Sequence, residues 1–159
     1  MIFVTTGTQL PFDRLLRPIL SWAEENLNEK VIAQTCSSEL SSSVVEMREF
    51  IAPEAYLEII KNTNLIISHA GMGTIITANE HKIPIVIMAR KFEYGEHRKD
   101  HQLSTIEKFR NMKGVYVVDS KEDIFKVLSE IDSLLPFTLD DSEQRKSLTS
   151  FIQNEIENL

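Results

Sequence analysis

The chain has 159 residues, 42% of them apolar and 26% charged, a size and balance that predict one compact domain with its own core. Its net charge of -7 excludes a general nucleic-acid binder, which needs a basic face for phosphates. No apolar run approaches the ~20 residues of a membrane span, so any membrane work is expected to pass through a partner or a surface patch.

Ile2-Phe3-Val4-Thr5-Thr6 is a short β-branched run closed by Gly7. It carries neither the basic start nor the cleavage site of a secretory leader, which predicts a cytoplasmic protein. From Pro11 a helical pattern places Leu16, Ile19, Leu20, Ala23 and Leu27 on one face, with Pro18 inside it predicting a kink or a later start. Residues 31–36 read as a second strand. Cys36 at its end is the lone cysteine, without metal-ligating neighbours, and reads as a packed thiol. A Ser-rich loop over 37–43 leads to a third strand over 44–50 and a helix over Pro53–Lys61.

Leu65-Ile66-Ile67-Ser68-His69 predicts a buried strand that meets Ala70-Gly71-Met72-Gly73-Thr74, with a helix over 74–81. Residues 83–89 form another apolar strand. A polar loop over 90–100, a helix to about Met112, a strand over 115–119 and a helix over 121–131 complete the pattern. Strands that are apolar throughout, alternating with helices, predict an α/β fold: one Rossmann-like domain with a mostly parallel sheet covered on both faces. We divide it into a domain over 1–135 and a linker with an amphipathic helix over 136–159. In the tail, Leu148, Phe151, Ile152, Ile156 and Leu159 recur at helical spacing and must pack on this domain or on a partner.

Three loops fall at the carboxyl ends of apolar strands, where ligands of such sheets bind. After the first strand comes Gly7-Thr8-Gln9. After the fourth, two glycines permit close backbone approach, and the following helix offers free N–H groups and its positive dipole end to an anion. That turn lacks a third glycine at Ile76 and the lysine of a P-loop, so tight packing without ligand fits it equally. His69 reads either as a structural histidine or as a ligand contact. The third loop, residues 90–102, holds four cations, three acids, two histidines and one amide. It suits either a solvated loop or a grip on phosphate through Arg90 and on hydroxyls through Asp100, His101 and Gln102. His97 and His101 have metal-motif spacing, but no third ligand accompanies them and no metal is expected.

The segments Val4-Thr5-Thr6-Gly7-Thr8-Gln9-Leu10-Pro11-Phe12-Asp13-Arg14-Leu15, Ile67-Ser68-His69-Ala70-Gly71-Met72-Gly73-Thr74-Ile75 and Gly95-Glu96-His97-Arg98-Lys99-Asp100-His101-Gln102 together resemble the MurG-type C-terminal domain of glycosyltransferase family 28. Within it they are similar to the single-domain PssE-like exopolysaccharide and capsule subunits and to the eukaryotic catalytic subunit of dolichol-linked N-acetylglucosamine transfer. The resemblance implies the C-terminal half of a GT-B fold and an inverting, metal-free transfer from a UDP-sugar to a polyprenyl-diphosphate-linked saccharide. A membrane-anchored partner subunit would supply the acceptor domain at the cytoplasmic face. No cofactor is implied beyond the UDP-sugar donor.

By the same resemblance, His69, Gly71, Met72, Gly73 and Thr74 line the diphosphate, His101 and Gln102 with Asp100 and Glu96 attend the sugar, and Gly7 and Thr8 form the opposite wall. His69 and Arg90 are the expected catalytic pair, stabilising the departing diphosphate. Thr77 stands where related enzymes carry a ribose-binding glutamate, and Glu80 lies one turn further along as its substitute. Lys99 and Ala89 stand where asparagine and proline are expected. The alternative function is a non-catalytic nucleotide-sugar-binding regulatory module; a stand-alone isomerase or hydrolase would normally need two such halves in one chain.

Overall fold

The computed structural model describes residues 1–96, 101–139 and 142–157. Ile2–Thr5 (β1), Val31–Gln34 (β2), Glu46–Arg48 (β3), Leu65–His69 (β4), Ile85–Met88 (β5) and Val115–Val117 (β6) form one sheet in the order β3-β2-β1-β4-β5-β6. Every pairing is parallel; in β1, for example, Val4 stands between Ala33 of β2 and Ile67 of β4. Asp13–Glu25 (α1), Pro53–Lys61 (α2), Met72–Glu80 (α3), His101–Phe109 (α4), Lys121–Ser129 (α5) and Ser142–Glu157 (α6) provide the helices.

The unbroken apolar runs follow from burial on both faces. Ile2, Val4, Val31, Ala33, Leu65, Ile67, Val86 and Met88 enter one core with the buried faces of α1 and α5. Their alternates Phe3, Ile32, Ile66, Ile85 and Ile87 enter a second core with residues of α2, α3, α4 and α6. Each fully buried aliphatic side chain contributes about 2 kcal/mol relative to exposure, so there is no solvent face on which polar residues could alternate.

Several boundaries differ from the sequence expectation for local reasons. Helix α1 begins at Asp13 and runs through Pro18, whose missing N–H falls in its second turn. It ends at Glu25, which leaves Leu27 beyond it and 72% exposed. Strand β3 keeps only three residues of the expected 44–50, because the Ser42 hydroxyl accepts from the N–H groups of Val44 (3.2 Å) and Val45 (3.1 Å) in a turn. Helix α3 starts two residues before the expected 74, since the Gly71 carbonyl already accepts from Ile75 N–H at 3.3 Å.

Phe137, Leu139 and Leu148 join the second core. Phe137 is fully buried against Phe109, their rings 6.3 Å apart and edge-on. A Cβ on Gly114, where φ is +82°, would lie 2.4 Å from the backbone of Phe137. From the tail stripe, Leu148 is buried and Ile152 packs beside it on this domain. The side chains of Ile156 and Leu159 lie outside the described residues.

Candidate functional site

Strand order reverses between β1 and β4, and their carboxyl ends open onto a cavity of about 590 Å³. Thr6, Gly7 and Thr8 after β1, His69, Gly71, Gly73, Thr74 and Thr77 from β4 and α3, and Arg90 and Gln102 after β5 all line it. Thus all three sequence-predicted loops meet there.

The loop after β1 is held from two sides. Gly7 takes φ +83° and donates its N–H to Thr5 Oγ1 at 3.1 Å, while its carbonyl accepts from Gln34 Nε2 at 3.1 Å. Across the cleft, the His69 ring fits between two glycines. A Cβ at Gly7 would come within 2.8 Å of its Cε1, and one at Gly71 within 2.2 Å of its Nε2. Glycine is required at both places so that the imidazole can fit between the loops; Ser68 Oγ lies 3.4 Å from its Nδ1.

Gly71 is also the N-cap of α3, where no side chain takes a capping hydrogen bond. The first turn is left without a side-chain cap, and its residues Gly73 and Thr74, with Gly71, line the cavity, so the positive end of the helix dipole adjoins it, an arrangement suited to an anion. Gly73 is exposed, and nothing lies within 4 Å of a Cβ built on it. Further along, Thr77 Oγ1 donates to Gly73 O at 3.0 Å and shares a hydrogen bond with Tyr56. Burial raises the Tyr56 pKa, partly opposed by that hydrogen bond, so the phenol stays neutral at physiological pH.

Four expected ligand contacts have other work. Arg90 is 3% exposed: its Nη1 donates to Pro11 O (2.8 Å) and Glu96 O (3.0 Å), and its Nη2 to Thr6 O and Leu10 O (both 2.6 Å). Its guanidinium also lies 4.6 Å from the Phe12 ring centroid. With four N–H groups on backbone carbonyls, it fixes loops instead of gripping a phosphate; burial pulls its pKa down from a level at which it is permanently charged. Glu96 is bound by Arg14 through both oxygens, at 2.8 and 2.9 Å, and accepts from Lys91 N–H at 2.9 Å, which commits both oxygens to the loop and keeps it out of the cavity lining. That ion pair raises the Arg14 pKa. Met72 packs on the second core, and Glu80 is exposed at the far end of α3; neither lines the cavity.

Gln102 is 9% exposed, and its Oε1 accepts from Arg90 N–H at 3.0 Å, which sets the amide plane at the cavity wall. His101 opens α4, but its side chain lies outside the described residues, as do Asp100 and His97 entirely. Among the described residues no cluster of three His, Cys, Asp or Glu could hold a metal.

Sequence reasoning missed a wall of the cavity formed by Gln34, Phe50, Ile51, Pro53 and Tyr56. Phe50 is 65% exposed there, a flat apolar surface beside a polar cleft. The available signal was Gln34 itself, a polar residue ending an otherwise apolar strand at the carboxyl edge of the sheet.

A doubly covered parallel sheet with an anion-ready helix end at its switch point has the architecture of Rossmann-like nucleotide-binding domains. The family model described as glycosyltransferase family 28 C-terminal domain matches residues 1–159, and the chain belongs to that family. No curated protein sequence matches it. Among solved structures it is similar to the glycosyltransferase of kitacinnamycin (TM-score 0.64, 12% identity, 94% of this chain and 37% of that one). It is also similar to the solution structure of ALG13 (TM-score 0.61, 17% identity, 91% of both chains). A third is Os79 from O. sativa, solved in complex with UDP (TM-score 0.57, 16% identity, 94% of this chain and 34% of that one). The shared fold is the C-terminal half of a GT-B enzyme. The chain spans 37% and 34% of the two larger enzymes.

Proposed function

We propose that this chain is the donor-binding subunit of a two-component, inverting, UDP-sugar-dependent glycosyltransferase of the PssE-like type. The observation that carries the reading is the uncapped α3 N-terminus beside His69, set in a cavity of about 590 Å³ at the switch point of a family 28 domain. In this reading the diphosphate lies on the amides of the α3 first turn, against Gly71, Gly73 and Thr74. Gly7 and Thr8 form the facing wall, Phe50 and Tyr56 flank the nucleoside, and Gln102 with His101 and Asp100 meets the sugar hydroxyls.

Loss of UDP from the anomeric carbon builds negative charge on the β-phosphate. Helix-end amides and His69 are fixed in advance to receive that charge, which a preorganised site does without moving solvent and without a metal. The acceptor, a polyprenyl-diphosphate-linked saccharide, attacks from the opposite face of the sugar. The base that takes its proton belongs to the acceptor subunit, which is membrane-anchored and holds this chain at the cytoplasmic face. The fold shared with ALG13 over 91% of both chains supports the donor-domain part of this reading. No helix among the described residues is long and apolar enough to cross a membrane.

Gln102→Ala tests the placement of the sugar. It is expected to weaken UDP-sugar binding about tenfold, the loss of one or two hydrogen bonds, while leaving UDP within about twofold. Equal loss for both ligands in calorimetric titration would contradict it.

A further inference from the structure

The buried amide at the end of β2 is used on one side only. Gln34 is 5% exposed and its Nε2 donates to Gly7 O at 3.1 Å. Because a carbonyl oxygen only accepts, the amide nitrogen must lie on that side, and Oε1 is directed away from it. The backbone carbonyl of Gln34 accepts from Thr6 N–H (3.0 Å) and Thr6 Oγ1 (3.3 Å), so main chain and side chain are both pinned. Among the described residues, no group donates to Oε1. Nor is any side-chain oxygen there both sealed from solvent and without a partner. Oε1 therefore opens to the cavity that Gln34 lines.

We propose that Gln34 Oε1 is a specificity-determining acceptor that reads a hydrogen-bond donor on the nucleoside part of the donor nucleotide; this rests on the donor-site reading above. An oxygen with only lone pairs repels phosphate and selects an O–H or N–H. A pinned acceptor left without a partner penalises a ligand that lacks the matching donor. Its place across the sheet selects the nucleoside. The strands run β3, β2, β1, β4, β5, so Gln34 lies between Phe50 after β3 and the Gly7 loop after β1. At about 4.8 Å per strand it is roughly 14 Å from the β5 end, where Gln102 meets the sugar. The donors available on a uridine nucleoside are the ribose hydroxyls and the imide N–H of the base.

The test is a cycle between protein and ligand, read by calorimetric titration of the full chain with UDP, 2′-deoxy-UDP, 3′-deoxy-UDP and N3-methyl-UDP. Wild type is expected to bind one of the analogues five- to thirtyfold more weakly than UDP. A deoxy analogue identifies a ribose hydroxyl, and the N3-methyl analogue identifies the base. Gln34→Met keeps the length but replaces the amide oxygen with at most a weak sulfur acceptor, and is expected to bind that same analogue and UDP within about twofold of each other. A uniform loss across all four ligands with wild-type discrimination retained would show that Gln34 only props the Gly7 loop and would overturn the proposal. Wild type alone decides the matter if the variant does not fold, because equal affinity for all four ligands contradicts it. Failure of wild type to bind UDP at all is a different result, which removes the donor-site reading itself.

Discussion

Two glycines in one turn are needed for different reasons. At Gly71 an added methyl would sit 2.2 Å from His69 Nε2, so alanine must push the imidazole out of its slot. At Gly73 it would meet nothing within 4 Å, because that side faces the cleft. Gly73→Ala is therefore expected to hold or raise stability, by up to about 1 kcal/mol since the position is helical, while weakening UDP at least tenfold by filling the anion's space. Gly71→Ala is expected to lose both stability and UDP affinity. Thermal melts paired with titration separate the two; unchanged UDP affinity in Gly73→Ala would move the anion elsewhere. That these glycines and His69 share one strand-to-helix turn at the carboxyl edge of the sheet was legible, because only a few residue types suit a turn that tight. The roles of Gln34 and Tyr56 were not, since a polar strand end or a lone phenol acquires one only when elements distant in sequence bring it to the same cavity.

The loops between elements are organised by two arginines on one ring. Arg90 and Arg14 lie 4.6 and 5.3 Å from the Phe12 centroid, and between them they tie the carbonyls of Thr6, Leu10, Pro11, Ala89 and Glu96 and the carboxylate of Glu96. The loop after β1 has no regular structure and depends on this clamp for its shape. Arg90→Ala would strand several carbonyls with at most water as donor, and is expected to cost on the order of 3 kcal/mol in urea unfolding. Arg90→Lys should cost less but not nothing, since an ammonium still donates to some of these carbonyls yet cannot span the same fork. Full stability with selective loss of UDP affinity would return Arg90 to the phosphate. The polar density of residues 90–102 was plain in the sequence. Its inward use was not, because composition does not show that Arg90 turns back under the β1 loop, or that Arg14, 82 residues away, would capture Glu96.

At the scale of the molecule, the alternation of uniformly apolar strands with helices was sufficient to read the doubly covered parallel sheet, because two buried faces leave no period-two signal in β1, β4 and β5. Element ends were less legible: the stop of β3 depends on the Ser42 turn, and the start of α3 on the Gly71 carbonyl. The family match over residues 1–159 and the fold place the chain in the C-terminal half of GT-B enzymes, and our proposal puts the donor nucleotide in the cavity at its switch point. The direct test is calorimetric titration of the full chain, in chelator, with UDP and with UDP-glucose, UDP-galactose and UDP-N-acetylglucosamine. The account predicts metal-independent binding of UDP and tighter binding of one of the three sugars. Binding that appears only when a divalent cation is restored would contradict it.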